Sequence, residues 1–166
     1  VSLLQRQSHR RMKIELIAAG TKPPGWVREG FDTYRGRMKG DCELLLKEYP
    51  VAKRHKTGSI TKYAKEEERA IRDLIHPRAL VIALDKSGKL LATEMLANEM
   101  SGWMNDYPLI QMLIGGPDGL SADLMRDVNR SISVSPMTFP HFMMRVLIAE
   151  QLYRAWSINR MHPYHK

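Results

Sequence analysis

Hydrophobic and polar positions divide the chain into alternating segments of two kinds. Short apolar runs, and one segment of alternating hydrophobicity, predict strands over residues 12–19, 42–49, 79–84, 109–114 and 131–139. Hydrophobic residues that recur every three or four positions predict helices over residues 26–38, 62–75, 93–104, 121–129 and 142–158. Thr93 is the expected cap of the third helix, and residues 86–89 are the expected turn after the third strand.

Strands and helices therefore alternate through the whole chain. This order predicts a single α/β domain with a five-stranded, mostly parallel sheet and helices on both faces. The domain is expected to span residues 12–166, because no repeat or linker divides it. Residues 1–11 are rich in arginine and lack acidic residues, so we interpret them as an N-terminal extension: a misassigned start, a cloning scar or a short leader.

Composition narrows the class of protein. The chain has 166 residues, 43% of them hydrophobic and 27% charged, which is typical of one globular domain rather than a disordered chain. The longest apolar run, residues 79–84, is too short to cross a membrane. Cys42 is the only cysteine, so no disulfide forms within the chain. We expect a soluble cytoplasmic protein without membrane contact.

The charge balance favours a polyanionic partner. Lys and Arg total 26 against 18 Asp and Glu, a formal net charge of +8. This excess favours nucleic acid, although a role in solubility alone is the simpler alternative. Lys53, Arg54, His55 and Lys56 form a basic loop that is a candidate RNA phosphate contact or, equally, an ordinary solvated loop.

Candidate chemistry lies where three predicted strands end. These strand ends are Leu84-Asp85 for the third strand, Ile114-Gly115-Gly116-Pro117 for the fourth and residues 135–140 for the fifth. Ligands of open α/β sheets bind at such carboxyl ends, and paired glycines allow a close backbone approach, although a plain tight turn is the alternative. The loop lacks the spacing of nucleotide phosphate loops, and Pro117 removes a backbone donor. This favours a cofactor held by backbone groups and apolar walls over ATP or NAD.

The last predicted helix is apolar around most of its circumference. Such a helix needs cover on two sides, so we expect a homodimer formed through residues 142–158. The tail that follows contains His162, Tyr164 and His165, which are candidates for RNA contact or acid–base catalysis, or belong to a frayed terminus. A metal site built from His141, His162 and His165 lacks a neighbouring Cys or carboxylate, so no metal is expected.

Two stretches of the chain resemble one family. Residues 113–121, Leu-Ile-Gly-Gly-Pro-Asp-Gly-Leu-Ser, resemble its glycine loop, and residues 141–165 resemble its C-terminal signature, which includes His-Pro-Tyr-His. The family is the ribosomal RNA large subunit methyltransferase H group of the SPOUT class. The resemblance implies methylation of N3 of a pseudouridine in helix 69 of 23S rRNA, on assembled ribosomes and with S-adenosylmethionine as methyl donor. It also implies a homodimer and a deep C-terminal trefoil knot.

The same resemblance implies roles for individual residues. The cofactor site would comprise Leu84, Gly116, Ser135, Pro136, Met137, Thr138, Phe139 and Pro140. RNA contacts would come from His141, Arg145 and Lys166. Charge and position alone, without the resemblance, add the basic-loop residues Lys53, Arg54 and Lys56 and the tail residue His162 as candidate RNA contacts.

The catalytic hypothesis rests on three residues near the C-terminus. His165 is the preferred general base because imidazole titrates near neutral pH, Tyr164 is the alternative, and Arg154 would steady the anionic base or a phosphate. A site shared between two subunits and a site within each subunit both remain open. The alternative functions are a non-catalytic RNA- or ribosome-binding module and methylation of a different RNA position.

Overall fold

The computed structural model describes residues 11–165, so the predictions for residues 1–10 and for Lys166 lie outside the described residues. Five strands form the sheet: β1 (Met12–Ala19), β2 (Cys42–Tyr49), β3 (Leu80–Leu90), β4 (Leu109–Ile114) and β5 (Arg130–Ser133). Five helices lie between and after them: α1 (Gly25–Arg37), α2 (Ile60–Leu74), α3 (Thr93–Asp106), α4 (Ala122–Asp127) and α5 (His141–Asn159). None of the helices in this part of the chain is long and apolar enough to cross a bilayer.

The strands form one sheet in the order β2-β1-β4-β3-β5. Every neighbouring pair is parallel, which confirms the predicted α/β class and replaces "mostly parallel" by a fully parallel arrangement. The inner strands β1 and β4 are almost entirely buried because helices cover both of their faces. All the carboxyl ends therefore meet at one edge of the sheet.

Helices pack against both faces of the sheet, as predicted. One apolar core joins Phe31 of α1, Met100 of α3 and Leu152 of α5 to the strands. A second, smaller core on the other face contains Ile71 of α2 and Leu124 of α4. The glycine loop and the start of α5 both lie at the carboxyl edge of this layered sheet.

The only cysteine lies in the first of these cores. Cys42 begins β2 and is fully buried. Burial raises the pKa of its thiol to about 12.

The predicted turn over residues 86–89 is wrong, because β3 continues to Leu90. Ile132 of β5 pairs with both Leu84 and Lys89, so the chain leaves the ladder after Leu84 and then returns to it. Asp85 shapes this excursion: its Oδ1 accepts a hydrogen bond of 2.8 Å from the backbone N of Ser87.

Two further predictions need correction. The fifth strand ends at Ser133 instead of residue 139, because the prolines at 136 and 140 cannot donate to a ladder. Thr93 does not cap α3: Ala92 occupies the N-cap position, and Thr93 Oγ1 instead donates to Gln151 Oε1 of α5 at 2.7 Å. Ser121 does cap α4, since its side chain accepts a hydrogen bond from Leu124 N.

Candidate cofactor cavity and C-terminal tail

A cavity of about 740 Å³ opens at the carboxyl edge of the sheet. Its walls are the end of β3, the loop that follows β4, the segment between β5 and α5, and the first turn of α5. The lining residues are Leu84, Asp85, Lys86, Ile114, Gly115, Gly116, Pro117, Asp118, Gly119, Leu120, Ser133, Val134, Ser135, Met137, Thr138, Phe139, Pro140, His141 and Met144. Seven of the eight predicted cofactor residues are among them, and Pro136 lies in the same segment without lining the cavity.

The glycine loop, residues 115–120, brings bare backbone to the cavity. Gly119 N donates to Gly116 O at 3.0 Å, and Gly119 has a φ of +76°, which favours glycine. A Cβ on Gly116 would lie 2.9 Å from Glu67 Oε2, closer than real Cβ atoms come. A side chain at residue 116 would therefore have to displace the Glu67 carboxylate, which Ala52 and Arg54 hold in place, and Gly116 lines the cavity without one.

An ion-pair bridge holds the glycine loop against α2. Arg54 donates to Glu67 Oε1 at 2.7 Å and to Asp118 Oδ2 at 2.8 Å. The Asp118 hydrogen bond, supported by that of Glu67, raises the pKa of Arg54. Glu67 itself is only 3% exposed and also accepts from Ala52 N at 2.9 Å. Arg54 therefore acts within the protein, where the sequence indicated an RNA contact.

The segment between β5 and α5, residues 134–140, forms the opposite wall. Ser133 Oγ donates to Ser135 O at 2.9 Å, and Met137 N donates to Ser135 Oγ at 3.0 Å. These local bonds satisfy the backbone where no strand ladder continues. Met137 is 70% exposed, so it stands at the rim of the cavity instead of in the core.

His141 begins α5 and borders the cavity. Its ring packs against Phe142, with 4.3 Å between ring centroids. Its Nε2 is buried and has no hydrogen-bond partner within residues 11–165. Burial, followed by the charge of Arg145, lowers the pKa of His141 from its ordinary 6.5, so the imidazole is neutral at pH 7.

The buried position of Arg145 does not fit its predicted role as an RNA contact. The sequence resemblance groups it with RNA contacts, yet its side chain is only 1% exposed. Its guanidinium donates to Glu48 Oε2 at 2.6 Å and to the carbonyls of Ala19 and Gly20 at 2.6 and 2.5 Å. Arg145 therefore fixes the end of β1, and this arrangement leaves it no access to RNA.

The predicted catalytic residues do come together, at the other end of α5. Tyr164 packs on Tyr153 with 4.6 Å between ring centroids, and the Arg154 guanidinium lies 4.7 Å from the Tyr164 centroid. Tyr164 Oη donates to Glu150 Oε1 at 3.2 Å, and Arg154 Nε donates to the same oxygen at 2.8 Å. The tail is therefore folded against α5 through His165 and is not frayed there.

The electrostatics of this cluster distinguish its members. Burial and the nearby Glu150 carboxylate raise the pKa of Tyr164, which leaves the phenol protonated at neutral pH. The Glu150 hydrogen bond raises the pKa of Arg154, which stays charged. His165 Nε2 lies 3.2 Å from Glu94 Oε1, and its Nδ1 lies 3.5 Å from Arg154 Nη1. The imidazole is thus oriented by a carboxylate on one side and a guanidinium on the other.

Arg154 lies far along α5 from the cavity residue His141. Arg154 follows His141 by 13 residues of the same helix, which corresponds to roughly 20 Å at 1.5 Å per residue. None of the three predicted catalytic residues lines the cavity. His162 is exposed near the Trp156 ring, at 6.5 Å between centroids. Across the described residues, no group of three His, Cys, Asp or Glu side chains is arranged to hold a metal ion.

Sequence reasoning missed three features of the cavity. Lys86 lines it, although the pattern indicated only a turn there. Glu67 supports it from behind, and nothing distinguishes this residue in the sequence from the glutamates on either side. The pairing of Arg54 with Asp118 depends on a fold contact between residues 64 positions apart, which no local pattern reveals.

The fold and cavity are those of an α/β protein with a candidate ligand site at the carboxyl edge of a parallel sheet, and comparison with known proteins gives the family. The family described as "Predicted SPOUT methyltransferase" matches residues 12–165. The chain therefore belongs to the SPOUT methyltransferase family.

Relatives resemble it over nearly the whole chain. A protein of Francisella tularensis subsp. novicida named ribosomal RNA large subunit methyltransferase H is 43% identical over 155 residues, covering 93% of this chain and 100% of that protein. Proteins of the same name from Alkalilimnicola ehrlichii and Hydrogenovibrio crunogenus are 43% and 38% identical, and each match covers 93% of this chain and 99% of the relative. The family resemblance predicted from the sequence is thus confirmed.

Proposed function

We propose that this protein methylates N3 of a pseudouridine in the 23S rRNA of assembled ribosomes in the cytoplasm, with S-adenosylmethionine as methyl donor. The observation that carries the proposal is the cavity at the carboxyl edge of the sheet, in a chain of the SPOUT methyltransferase family. The names of the relatives support rRNA of the large subunit as substrate. The deep C-terminal knot stays a prediction from the family resemblance.

The cavity residues fit this cofactor. A volume of about 740 Å³ lies within the range of small-molecule sites. Leu84, Ile114 and Phe139 supply apolar walls, while the backbone of the glycine loop supplies hydrogen-bonding groups where residue 116 has no side chain. When bound there, S-adenosylmethionine supplies an electrophilic methyl group on a sulfonium. A neutral His141 beside the cavity adds no charge that would repel a sulfonium.

We propose a homodimer through residues 142–158 of α5. Within one chain the helix buries Ile148 and Leu152, while Met143 and Leu147 are only partly covered. A second copy would cover this face, and an antiparallel pairing of the two α5 helices would bring the tail of one subunit toward the cavity of the other. The separation of roughly 20 Å between the two ends of α5 favours this shared site over a self-sufficient subunit.

The proposed mechanism assigns separate roles to the tail residues. Methylation forms an N3–C bond while the bond between the methyl group and the donor sulfur breaks, which leaves S-adenosylhomocysteine. The N3 proton is also released, so a proton acceptor must lie near the base. His165 is our candidate, with Glu94 orienting its ring. Arg154 would stabilise the negative charge that develops on the base, and Tyr164, protonated at neutral pH, would position Arg154 by packing beneath it.

Calorimetric titration with S-adenosylmethionine tests the cavity directly. Saturable binding is expected for the wild-type protein. It is expected to be lost in Gly116→Arg, because the arginine side chain would extend from the cavity wall into the cofactor site. Thr138→Arg at the exposed rim tests the same site without disturbing Glu67. Gly102→Arg is the matched control, because no atom lies within 4 Å of a Cβ built at Gly102 of α3. A folded wild-type dimer that binds no cofactor would refute the cavity assignment.

Subunit mixing tests the shared site. Gly116→Arg and His165→Ala are each expected to be inactive on ribosomes. In a shared arrangement, a mixed dimer restores one intact site, so random mixing recovers about a quarter of the wild-type rate. If each subunit is self-sufficient, mixing restores nothing. The product is read as N3-methylpseudouridine by mass spectrometry of digested 23S rRNA, which also distinguishes methylation at another position.

A further inference from the structure

A cluster of positive charge lies outside the cavity and the tail, on the first turns of α2. A groove of about 480 Å³ on this helix is lined by Ser59, Thr61, Lys62, Lys65, Glu66 and Arg69. Lys62, Lys65 and Arg69 follow a helical spacing that places them on one side, opposite the buried positions Tyr63 and Glu67. All three cations are exposed, and none forms an ion pair within the described residues.

The basic loop continues this positive surface. Lys53 and Lys56 are exposed, and in the described part of the chain neither is paired with a carboxylate. Together with the three α2 residues they give five positive charges against one carboxylate in the groove, that of Glu66. We name this set of five residues, Lys53, Lys56, Lys62, Lys65 and Arg69, the α2 surface.

The loop and the helix are held together as one unit. Tyr63 Oη accepts from His55 N at 2.5 Å and donates to His55 O at 3.0 Å. A Cβ on Gly58 would lie 1.7 Å from Tyr63 Oη, so only glycine allows the loop to pack this closely. A surface fixed in this way loses little conformational entropy when it binds a partner.

The α2 surface lies at the same edge of the sheet as the cavity. α2 follows the carboxyl end of β2, and in a parallel sheet the first turns of such a helix lie beside the carboxyl edge. The bridge from Glu67 through Arg54 to Asp118 joins this part of α2 directly to the glycine loop. A polyanion bound along the surface would therefore pass close to the cavity.

We infer that the α2 surface binds the phosphate backbone of the substrate RNA and positions the large subunit for modification. Regularly spaced, unpaired lysine and arginine side chains match the regularly spaced charges of a phosphodiester chain. This inference rests on the proposed function for its substrate, and it adds the surface by which the enzyme docks. The cations position the RNA and take no part in the chemistry.

The test compares two sets of three neutralised cations. Lys62→Gln/Lys65→Gln/Arg69→Gln removes the helical part of the surface while keeping good helix formers. Lys13→Gln/Lys39→Gln/Arg78→Gln is the control, because these exposed residues lie at or just before the amino ends of β1, β2 and β3, at the opposite edge. Both variants remove the same charge, and both should retain wild-type affinity for S-adenosylmethionine.

The readouts separate docking from catalysis. Binding to large subunits and to protein-free 23S rRNA is measured between about 50 and 200 mM salt, where each lost phosphate contact reduces the slope of log K against log salt by about 0.7–0.9. The α2 variant should lose about two units of slope or more. Its KM for large subunits should rise about tenfold while kcat changes little.

Several outcomes would overturn the inference. An unchanged slope and KM in the α2 variant would show that RNA does not bind this surface. An equal loss of slope in the control variant would show that the effect comes from net charge alone. Weaker binding to subunits but not to protein-free 23S rRNA would assign the surface to an acidic protein partner. If wild-type protein binds but never methylates, the proposed function fails, while the binding comparison still decides the docking surface.

Discussion

Each end of α5 carries an arginine, and the two arginines have different roles. At its start, Arg145 is buried and its guanidinium is bonded to Glu48 and to backbone carbonyls. Near its end, Arg154 is partly exposed, pairs with Glu150 and lies over the Tyr164 ring. The first arginine completes the scaffold of the cavity, whereas the second belongs to a cluster whose predicted catalytic residues do not line that cavity.

This difference shows why similar residue types in one sequence signature need not share a role. The cavity end contains two buried polar atoms that have no hydrogen-bond partner among residues 11–165, namely Nε2 of His141 and Nε of Arg145. In the tail, by contrast, Arg154, Tyr164 and His165 each have a polar contact. Of these two residues only His141 lines the cavity, whereas the polar groups of the tail are already paired with one another.

The largest expected effect is at the tail. His165→Ala should lower the single-turnover methylation rate on ribosomes by about 10²- to 10⁴-fold, because a positioned general base is lost. The affinity for S-adenosylmethionine, measured by calorimetry, should not change. His76→Ala, at the opposite edge of the sheet, is the control and should retain the wild-type rate. A His165→Ala variant with full single-turnover rate would remove His165 from this role.

The second prediction compares the two arginines directly. Arg145→Met should lower the free energy of unfolding by about 3 kcal/mol, because it leaves Glu48 and two carbonyls without their buried partner. Arg154→Met should cost about 1 kcal/mol or less, since its pair is partly exposed. Urea unfolding measures both. Equal losses in the two variants would contradict the distinction between scaffold and tail.

The third prediction concerns the support behind the cavity. Asp118→Ala frees the glycine loop from Arg54 while leaving the buried pair of Arg54 and Glu67 intact. The cofactor must then order the loop, so its affinity should fall about tenfold, the equivalent of one charge-assisted hydrogen bond. Asp123→Ala removes a comparable ion pair on α4 and should leave the affinity unchanged. An unchanged affinity in Asp118→Ala would show that the loop needs no such support.

The smallest effect is expected from pH at the cavity end. Burial lowers the pKa of His141 in the folded state below 6.5, so below pH 6.5 the unfolded chain takes up this proton first. The contribution of His141 to stability is therefore complete above pH 6.5 and is lost as the pH falls from there toward the folded pKa. His141→Asn should reduce the loss of stability between pH 7.5 and 5.5, measured by urea unfolding. An identical loss in the variant would show that His141 does not titrate in this range.

Much of the fold was predictable because the strands are continuous apolar runs. The bounds predicted for β1, β2 and β4 agree with the structure residue for residue, since helices cover both faces of a parallel sheet. The glycine loop was also predictable, because paired glycines after a buried strand indicate close backbone approach. The end of β3 was not, because Asp85–Gly88 leave the ladder and Lys89 rejoins it only through pairing with β5.

The site residues that could be predicted are those that lie close together in the sequence. The residues of the 134–140 segment follow one another, and all the predicted ones except Pro136 line the cavity. Arg145 and Glu67 could not be assigned from the sequence, because their roles depend on burial against residues far along the chain. A charged residue in a helix pattern indicates a solvated face, and only the packed structure shows that these two are enclosed.

The burial of Cys42 has a practical consequence for studying assembly. Burial raises the pKa of its thiol to about 12, so the reactive thiolate is scarce at pH 8, and alkylating reagents cannot easily reach the buried sulfur. The chain therefore behaves toward thiol-directed dyes and spin labels as if it had no cysteine. A single cysteine introduced at an exposed position, such as Asn98→Cys on α3, would carry one probe per subunit. Distances between two such probes would then report the geometry of an assembled pair without first removing the native thiol.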